Sequence, residues 1–318
     1  MKISLRSNPL YATIGVLASL FAIASFSYDG FFSLRVIANL FTDSSFLGVT
    51  ALGMTVVILS KGIDLSVGSV IGFTTILVAY LVQDAGVSVP VAWGIALVVG
   101  VLFGAGMGAL IVLYDLPSFL VTLGGLFFAK GMGFVISSSS IGIQNGFYDA
   151  VLNFQIQVGP GAYLGAGALA FILFFVFCLY LLKWTRFGRY VYAVGGNEDS
   201  ARLMGLPVDR VKIGVYAFNG FCSAFAGILT TLYMGSGNPL TGVGMELDAI
   251  AAVVIGGTLL TGGIGGATGT LLGVLTFAVI QTILNFDGRF KPAFLRIAIA
   301  ALLLGFILTQ RALARGKD

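Results

Sequence analysis

The sequence predicts an all-α integral membrane protein of about ten transmembrane helices, built as two five-helix inverted halves with broken helices and with both termini cytoplasmic. Three observations predict it. Of the 318 residues, 58% are hydrophobic and only 9% are charged, whereas a water-soluble domain carries about a quarter charged residues. Apolar runs long enough to cross a bilayer recur along the whole chain. The cations collect between alternate runs. The 45 glycines fit the same solvent, since lipid-embedded helices use glycine where backbones approach closely.

The runs, taken in order, are approximately 9–27, 45–60, 66–83, 90–113, 117–137, 163–182, 213–234, 248–260, 265–285 and 293–310, read against a hydrocarbon layer that takes about 20 residues of helix. Lys2 and Arg6 precede the first run as they would in a signal peptide, but the run has the length of a full span and is read as an uncleaved helix. Pro9, Pro90, Pro117 and Pro292 stand at the starts of runs, where proline loses no helix hydrogen bond. The segment Phe31–Phe41 is too short and too mixed to span, and is expected to lie along the interface or dip partway in. With ten spans, Lys2, Arg6, Arg311, Arg315 and Lys317 share one side with the Lys183, Arg186, Arg189, Arg202, Arg210 and Lys212 cluster. The other side receives Arg35, Arg289 and Lys291. That asymmetry places both termini and the 183–212 loop in the cytoplasm and the 138–161 segment outside.

A weak internal repeat is visible. Val56-Val57-Ile58 leads into Gly62-Ile63-Asp64-Leu65-Ser66-Val67-Gly68-Ser69, and Val253-Val254-Ile255 leads into the glycine- and threonine-rich stretch from Thr261 to Gly269. In each a short apolar helix breaks and a second begins. The chain therefore reads as a single transmembrane domain, 1–318, whose inverted halves divide near residue 160, with the pathway near the broken segments.

Several chemistries are excluded. No histidine is present, so imidazole metal sites and histidine catalysis are absent, and no metal site is expected. No G-x-x-x-x-G-K-[ST] loop occurs, so the chain does not bind ATP in that way. Cys178 and Cys222 lie inside apolar runs and read as small buried hydrophobes. Gly100, Gly104 and Gly108 recur every four residues, which marks a helix-packing face rather than a dinucleotide loop. The net charge of +4 orients the protein in lipid, and no nucleic-acid partner is expected.

Three places carry polar chemistry. Asp64, with Ser66 and Ser69, stands at the junction of two apolar segments, where a carboxylate must face water, a partner or a helix N-terminus. It is placed to cap the third span and also to line a pathway; both readings stay open. Glu246 and Asp248 precede the eighth span, where they cap a helix start or contact solute hydroxyls or a partner protein from an outward loop. Lys130 sits mid-run in the fifth span and Arg296 near the last; snorkelling or pairing with an acid on a neighbouring helix accounts for such a lysine. The third place is the cytoplasmic stretch Gly195-Gly196-Asn197-Glu198-Asp199-Ser200-Ala201-Arg202-Leu203-Met204-Gly205-Leu206-Pro207. Asn197 is expected to cap a helix from Glu198 to Met204 that Gly205 closes. A helix so short needs a docking surface.

On these two segments the chain resembles the monosaccharide permeases of ribose-type ABC importers, within the branched-chain/ribose permease group, from about Asn39 to Arg311. The resemblance implies that Gly196, Asn197, Glu198, Ala201, Arg202 and Gly205 contact a cytoplasmic ATP-binding subunit, and Asp64 and Ser66 match the family's sugar-permease signature. An uncharged sugar needs hydroxyl partners, so the candidate pathway residues are Asp64, Ser66 and Ser69 at the first break with Thr258 and Thr261 at the second. Asn39-Leu40-Phe41-Thr42-Asp43, Leu247-Asp248-Ala249-Ile250-Ala251, Gly256-Gly257-Thr258-Leu259-Leu260 and Asn285-Phe286-Asp287-Gly288 resemble the second permease subunit of the galactofuranose importer. This implies a heterodimer with a second homologous permease chain, a periplasmic sugar-binding protein, and ATP and Mg held on the partner ATPase, with no cofactor on this chain and no enzyme activity of its own. The alternatives are an ion-coupled secondary transporter of a small polar solute and an ABC permease for ribose, xylose or galactose.

Overall fold

In the computed structural model the described residues are 9–287, 297, 299–301 and 304–305. The expected tenth span, 293–310, falls largely outside them, as do the cations near both ends of the chain. The helix α1 (Pro9–Ser27) leads through a turn to α2 (Leu34–Asp43), which Ser33 caps by accepting the Val36 N–H at 3.3 Å. The helix α3 (Ser45–Leu59) follows at a bend of 58°. The Phe31–Phe41 segment is thus half of a bent pair. After a break come α4 (Val67–Gln83), α5 (Val89–Leu113) and α6 (Ser118–Ile136).

The expected outer segment is ordered. It contains β1 (Ile141–Gly142), α7 (Gly146–Asn153) and a hairpin of β2 (Gln155–Gly159) with β3 (Ala162–Gly165). The helix α8 (Ala166–Trp184) then crosses to α9 (Arg186–Gly196) and α10 (Glu198–Leu203). The chain returns through α11 (Val208–Met234), β4 (Ser236–Gly237), α12 (Met245–Ile255) and α13 (Ala267–Asp287).

Six described helices are long and apolar enough to cross a membrane, seven if the bent α2–α3 pair counts as one span. Of the ten expected spans, 293–310 falls largely outside the described residues, and 248–260 is matched by a half-length helix for a physical reason. Hydropathy does not separate a full span from a half-length helix flanked by apolar coil. The helix α12 has 11 residues, about 16 Å of rise, or half the hydrocarbon layer. The expected run 248–260 continues into a turn from Gly256 onward. The 17 residues of α4 measure about 26 Å, at the lower end of spanning length.

The centre of the molecule is α11, whose 27 residues measure about 40 Å and pack against α3, α4 and α5. The expected glycine face of α5 makes that contact. A Cβ at Gly104 would strike the Tyr216 carbonyl, and one at Gly100 the Gly220 carbonyl and Ala224. Lipid-facing surface lies on the outer helices, where Leu102, Leu173 and Val176 are exposed.

Both ends of the molecule are defined by what meets there. The end that holds α9 and α10 also receives the C-terminus of α3, the start of α6, and the start of α11. At the opposite end β1 pairs antiparallel with β4. There Tyr148 is buried, accepting from Trp93 Nε1 at 3.1 Å and lying 3.0 Å from Thr231 Oγ1.

Candidate functional site

Each break interrupts helical hydrogen bonding, so its backbone groups need other partners. The first break, 60–66, is covered by side chains of α6 and α11. Ser118 Oγ accepts the Ile63 N–H at 3.2 Å, Thr122 Oγ1 accepts the Leu65 N–H at 3.2 Å, and Tyr216 donates to the Ile63 carbonyl at 3.4 Å. Asp64 is 1% exposed. Its Oδ1 accepts the Ser66 N–H at 2.9 Å and the Ser66 hydroxyl at 2.6 Å, and its Oδ2 accepts Asn219 Nδ2 at 2.8 Å. The carboxylate thereby orders the residue that begins α4, and ties that start to the middle of α11.

The second break, 256–266, closes on itself: Leu259 N–H reaches the Ile264 carbonyl at 3.0 Å, and Gly262 N–H the Leu259 carbonyl at 3.0 Å. Thr258 is buried against Gly265, and its hydroxyl has no partner among the described residues. Of the five residues expected along the pathway, Asp64, Ser66, Ser69 and Thr258 are interior, and only Thr261 is exposed. The four form the packing behind the breaks in this conformation.

The breaks touch each other, and the α9–α10 corner touches both. Gly263 N–H donates to the Leu59 carbonyl at 2.9 Å. Gly195, at the end of α9, lies so near that a Cβ there would overlap the Leu59 carbonyl and crowd the Gly263 nitrogen. Lys61 Nζ donates to the Gly196 carbonyl at 3.3 Å, and Tyr192 donates to the Gly265 carbonyl at 2.8 Å. Because α3 and α12 both run toward this corner while α4 and α13 both run away from it, the two similar motifs point in the same direction. The expected inversion therefore does not hold for this pair.

The short helix forms as its local signals require. Asn197 Oδ1 accepts the Ser200 N–H at 2.8 Å. Gly205 takes φ +78°, its N–H returns to the Arg202 carbonyl at 3.0 Å, and Leu206 N–H returns to the Ala201 carbonyl at 3.1 Å, a left-handed helix ending that favours glycine. Ala201 is buried. Lys212 donates to the Glu198 carboxylate at 2.6 Å, and Arg202 to Asp209 at 2.8 Å. Hydrogen bonding to Asp209 and the nearby charge of that carboxylate raise the Arg202 pKa. The tip residues Leu203 and Met204 are 90% and 69% exposed.

Glu246 and Asp248 do lie in the first turn of a helix, α12. Glu246 does not stand on an outer loop, however. After α11 the chain runs back along α4, with Thr75 Oγ1 donating to the Asn238 carbonyl at 3.0 Å, and it delivers the Glu246 carboxylate beside Gly68 near the start of α4. Sequence reasoning missed Asn219, Tyr216 and Tyr192. An amide in the middle of an apolar span was a signal for the first; the other two are aromatic residues whose hydroxyl contacts arise only from the tertiary arrangement.

Residues 36–308 match the family model described as branched-chain amino acid transport system / permease component. The chain belongs to this permease family. It is 45% identical to the inner membrane ABC transporter permease protein YjfF of Escherichia coli, over 97% of this chain and 93% of that one. It is 33% identical to the fructose import permease protein FruG of Bifidobacterium longum, over 100% and 95%. It is 39% identical to the ribose import permease protein RbsC of Haemophilus influenzae, over 84% and 82%. No solved structure matches the chain. Family and helices together make it a multi-pass protein of the bacterial cytoplasmic membrane and a permease component of the sugar ABC transporter type.

Proposed function

We propose that this chain forms half of the translocation pathway of an ATP-driven monosaccharide importer, with galactofuranose as the solute. A second homologous permease chain supplies the other half, a periplasmic sugar-binding protein delivers the solute, and a cytoplasmic ATP-binding subunit holds ATP and Mg. The observation that carries this reading is the corner where Gly195 meets Leu59 and Gly263. A displacement of α10 acts there on both helix breaks at once, and packed backbone transmits it because an interior is close-packed rather than fluid. The exposed Leu203 and Met204 at the tip of α10 suit burial in a cleft of the ATP-binding subunit. Asp64, Ser66, Ser69 and Thr258 hold the breaks from behind, and Thr261 stands exposed at the turn of the second break.

Galactofuranose is favoured by the four segments that resemble the second permease of that importer, from Asn39–Asp43 to Asn285–Gly288. The ribose and fructose import permeases among the relatives supply the second reading, another monosaccharide. The test is uptake into proteoliposomes that contain the assembled complex. ATP inside, with no ion gradient, should drive accumulation of labelled galactofuranose in preference to ribose, galactose and fructose. Uptake that follows a sodium or proton gradient and ignores ATP would refute the proposal.

A further inference from the structure

We infer that Glu246 and Lys130, with Phe127 beside them, face the translocation pathway and form a recognition point for a neutral polyhydroxylated solute. This rests on the functional reading above and assigns its solute contact to residues other than the interior polar groups of the breaks.

Depth comes first. Glu246 lies beside Gly68, fifteen residues below the outer end of α4 at Gln83, which is about 22 Å of helix. Gln83 itself accepts the Gln144 N–H of the outer segment at 2.9 Å. Toward the other end, nine further residues of α12 add about 14 Å before Ile255, whose carbonyl accepts the Thr13 hydroxyl of α1 at 2.6 Å. Glu246 is therefore a carboxylate at membrane depth.

Lys130 reaches the same level. Gly133, less than one turn further along α6, packs against Pro239, Phe73 and Ile76. Helical side chains tilt toward the N-terminus of their own helix, so the ammonium of Lys130 is directed down α6 toward the level of Glu246 beside Gly68. Both side chains remain partly exposed. An ionisable pair that is exposed at this depth does not face hydrocarbon; it faces a wet cavity or protein. The other flank of α6, against α5, is lined by Leu102, Phe103, Leu120 and Phe128 without a charged side chain, so the wet side of α6 is the flank that carries Lys130.

The chemistry of that flank fits a sugar. A carboxylate accepts two hydroxyl hydrogen bonds and an ammonium donates up to three. Phe127, three residues before Lys130 and so on the same face, is 66% exposed and offers a ring to the C–H face of a pyranose or furanose. A second permease chain closes the opposite wall.

Single cysteines test this in the full importer, because the native Cys178 and Cys222 are both buried. Lys130→Cys and, on the exposed residue beside Glu246, Val243→Cys should react with a sulfonated methanethiosulfonate, and the transported sugar, tried as galactofuranose, galactose and ribose, should protect them. Glu246→Gln should raise the KM for uptake about ten-fold or more while the ATP-binding subunit still co-purifies. The swap Lys130→Glu/Glu246→Lys should fail to restore that KM. Labelling at neither cysteine by the charged reagent, with labelling by a lipid-soluble maleimide instead, would overturn the inference, and so would full restoration by the swap, which marks a purely structural ion pair. If Glu246→Gln prevents assembly, the two labelling variants decide alone. Failure of the wild-type complex to import sugar on ATP would sink the functional reading instead and leave the labelling result intact.

Discussion

Asp64 joins two elements through one carboxylate, and the cost of losing it follows from its partners. Asp64→Ala would leave Asn219 Nδ2 and the Ser66 hydroxyl without their acceptor in an interior where Asp64 is 1% exposed. Each unsatisfied buried group costs about 1–3 kcal/mol, so the variant should lose roughly 3 kcal/mol, read as a lower thermal transition in detergent and a smaller folded fraction. Asp64→Asn should be much milder. The amide keeps an acceptor for Ser66, and Asn219 Oδ1, which has no partner among the described residues, can turn to accept the new N–H. Equal damage from both substitutions would show that the charge itself matters. The sequence marked Asp64 because an ionisable side chain between apolar runs is conspicuous. It did not mark Asn219 as the partner, since pairing across 155 positions is a product of packing and not of any local pattern.

Elements with purely local signals were legible, and α10 is the clearest case. Its cap at Asn197 and its left-handed ending at Gly205 need only neighbouring residues, and both bounds came within a residue of the expected helix. The outer α7 and the β2–β3 hairpin were not legible, because their order derives from contacts such as Tyr148 with Trp93 and Thr231. The half-length α12 was misjudged because Gly256–Leu260 prolongs its apolar run. Gly205→Pro should test what α10 does. Proline fixes φ near −65° where the chain requires +78° and an N–H. The variant should insert and assemble, and should retain ATPase activity while ATP-dependent uptake falls at least about ten-fold. Gly205→Asn should be tolerated, since asparagine enters the left-handed region. Gly195→Val attacks the other end of the same link, and should uncouple as severely without altering α10, because its side chain would displace Leu59 and Gly263. Normal uptake in both Gly205→Pro and Gly195→Val would break the mechanical argument.

At the scale of the whole molecule, the number of crossings and the sides of the loops determine whether that corner can be driven from the cytoplasm. The class of architecture was legible from composition, but the length of each helix within an apolar run was not, because burial by neighbouring protein and burial by lipid leave the same apolar signature in α3, α12 and α4. The internal repeat was visible as a pair of glycine-rich breaks; its sense was not, since direction belongs to the packed arrangement in which Gly263 reaches Leu59. Charge asymmetry gives the expected sidedness, with the positive 183–212 segment inside. The 27 residues of α11, about 40 Å, separate it from the β1–β4 end. Single cysteines at Ser139, in the exposed outer segment, and at Leu203, on the tip of α10, test this directly, since the native cysteines are buried. In intact spheroplasts a membrane-impermeant maleimide should label Ser139→Cys and leave Leu203→Cys unlabelled; inverted vesicles should reverse the pattern. Labelling of Leu203→Cys from outside would put α10 beyond the reach of any cytoplasmic ATP-binding subunit, and neither the corner at Gly195 nor the two breaks it touches would then have anything to drive them.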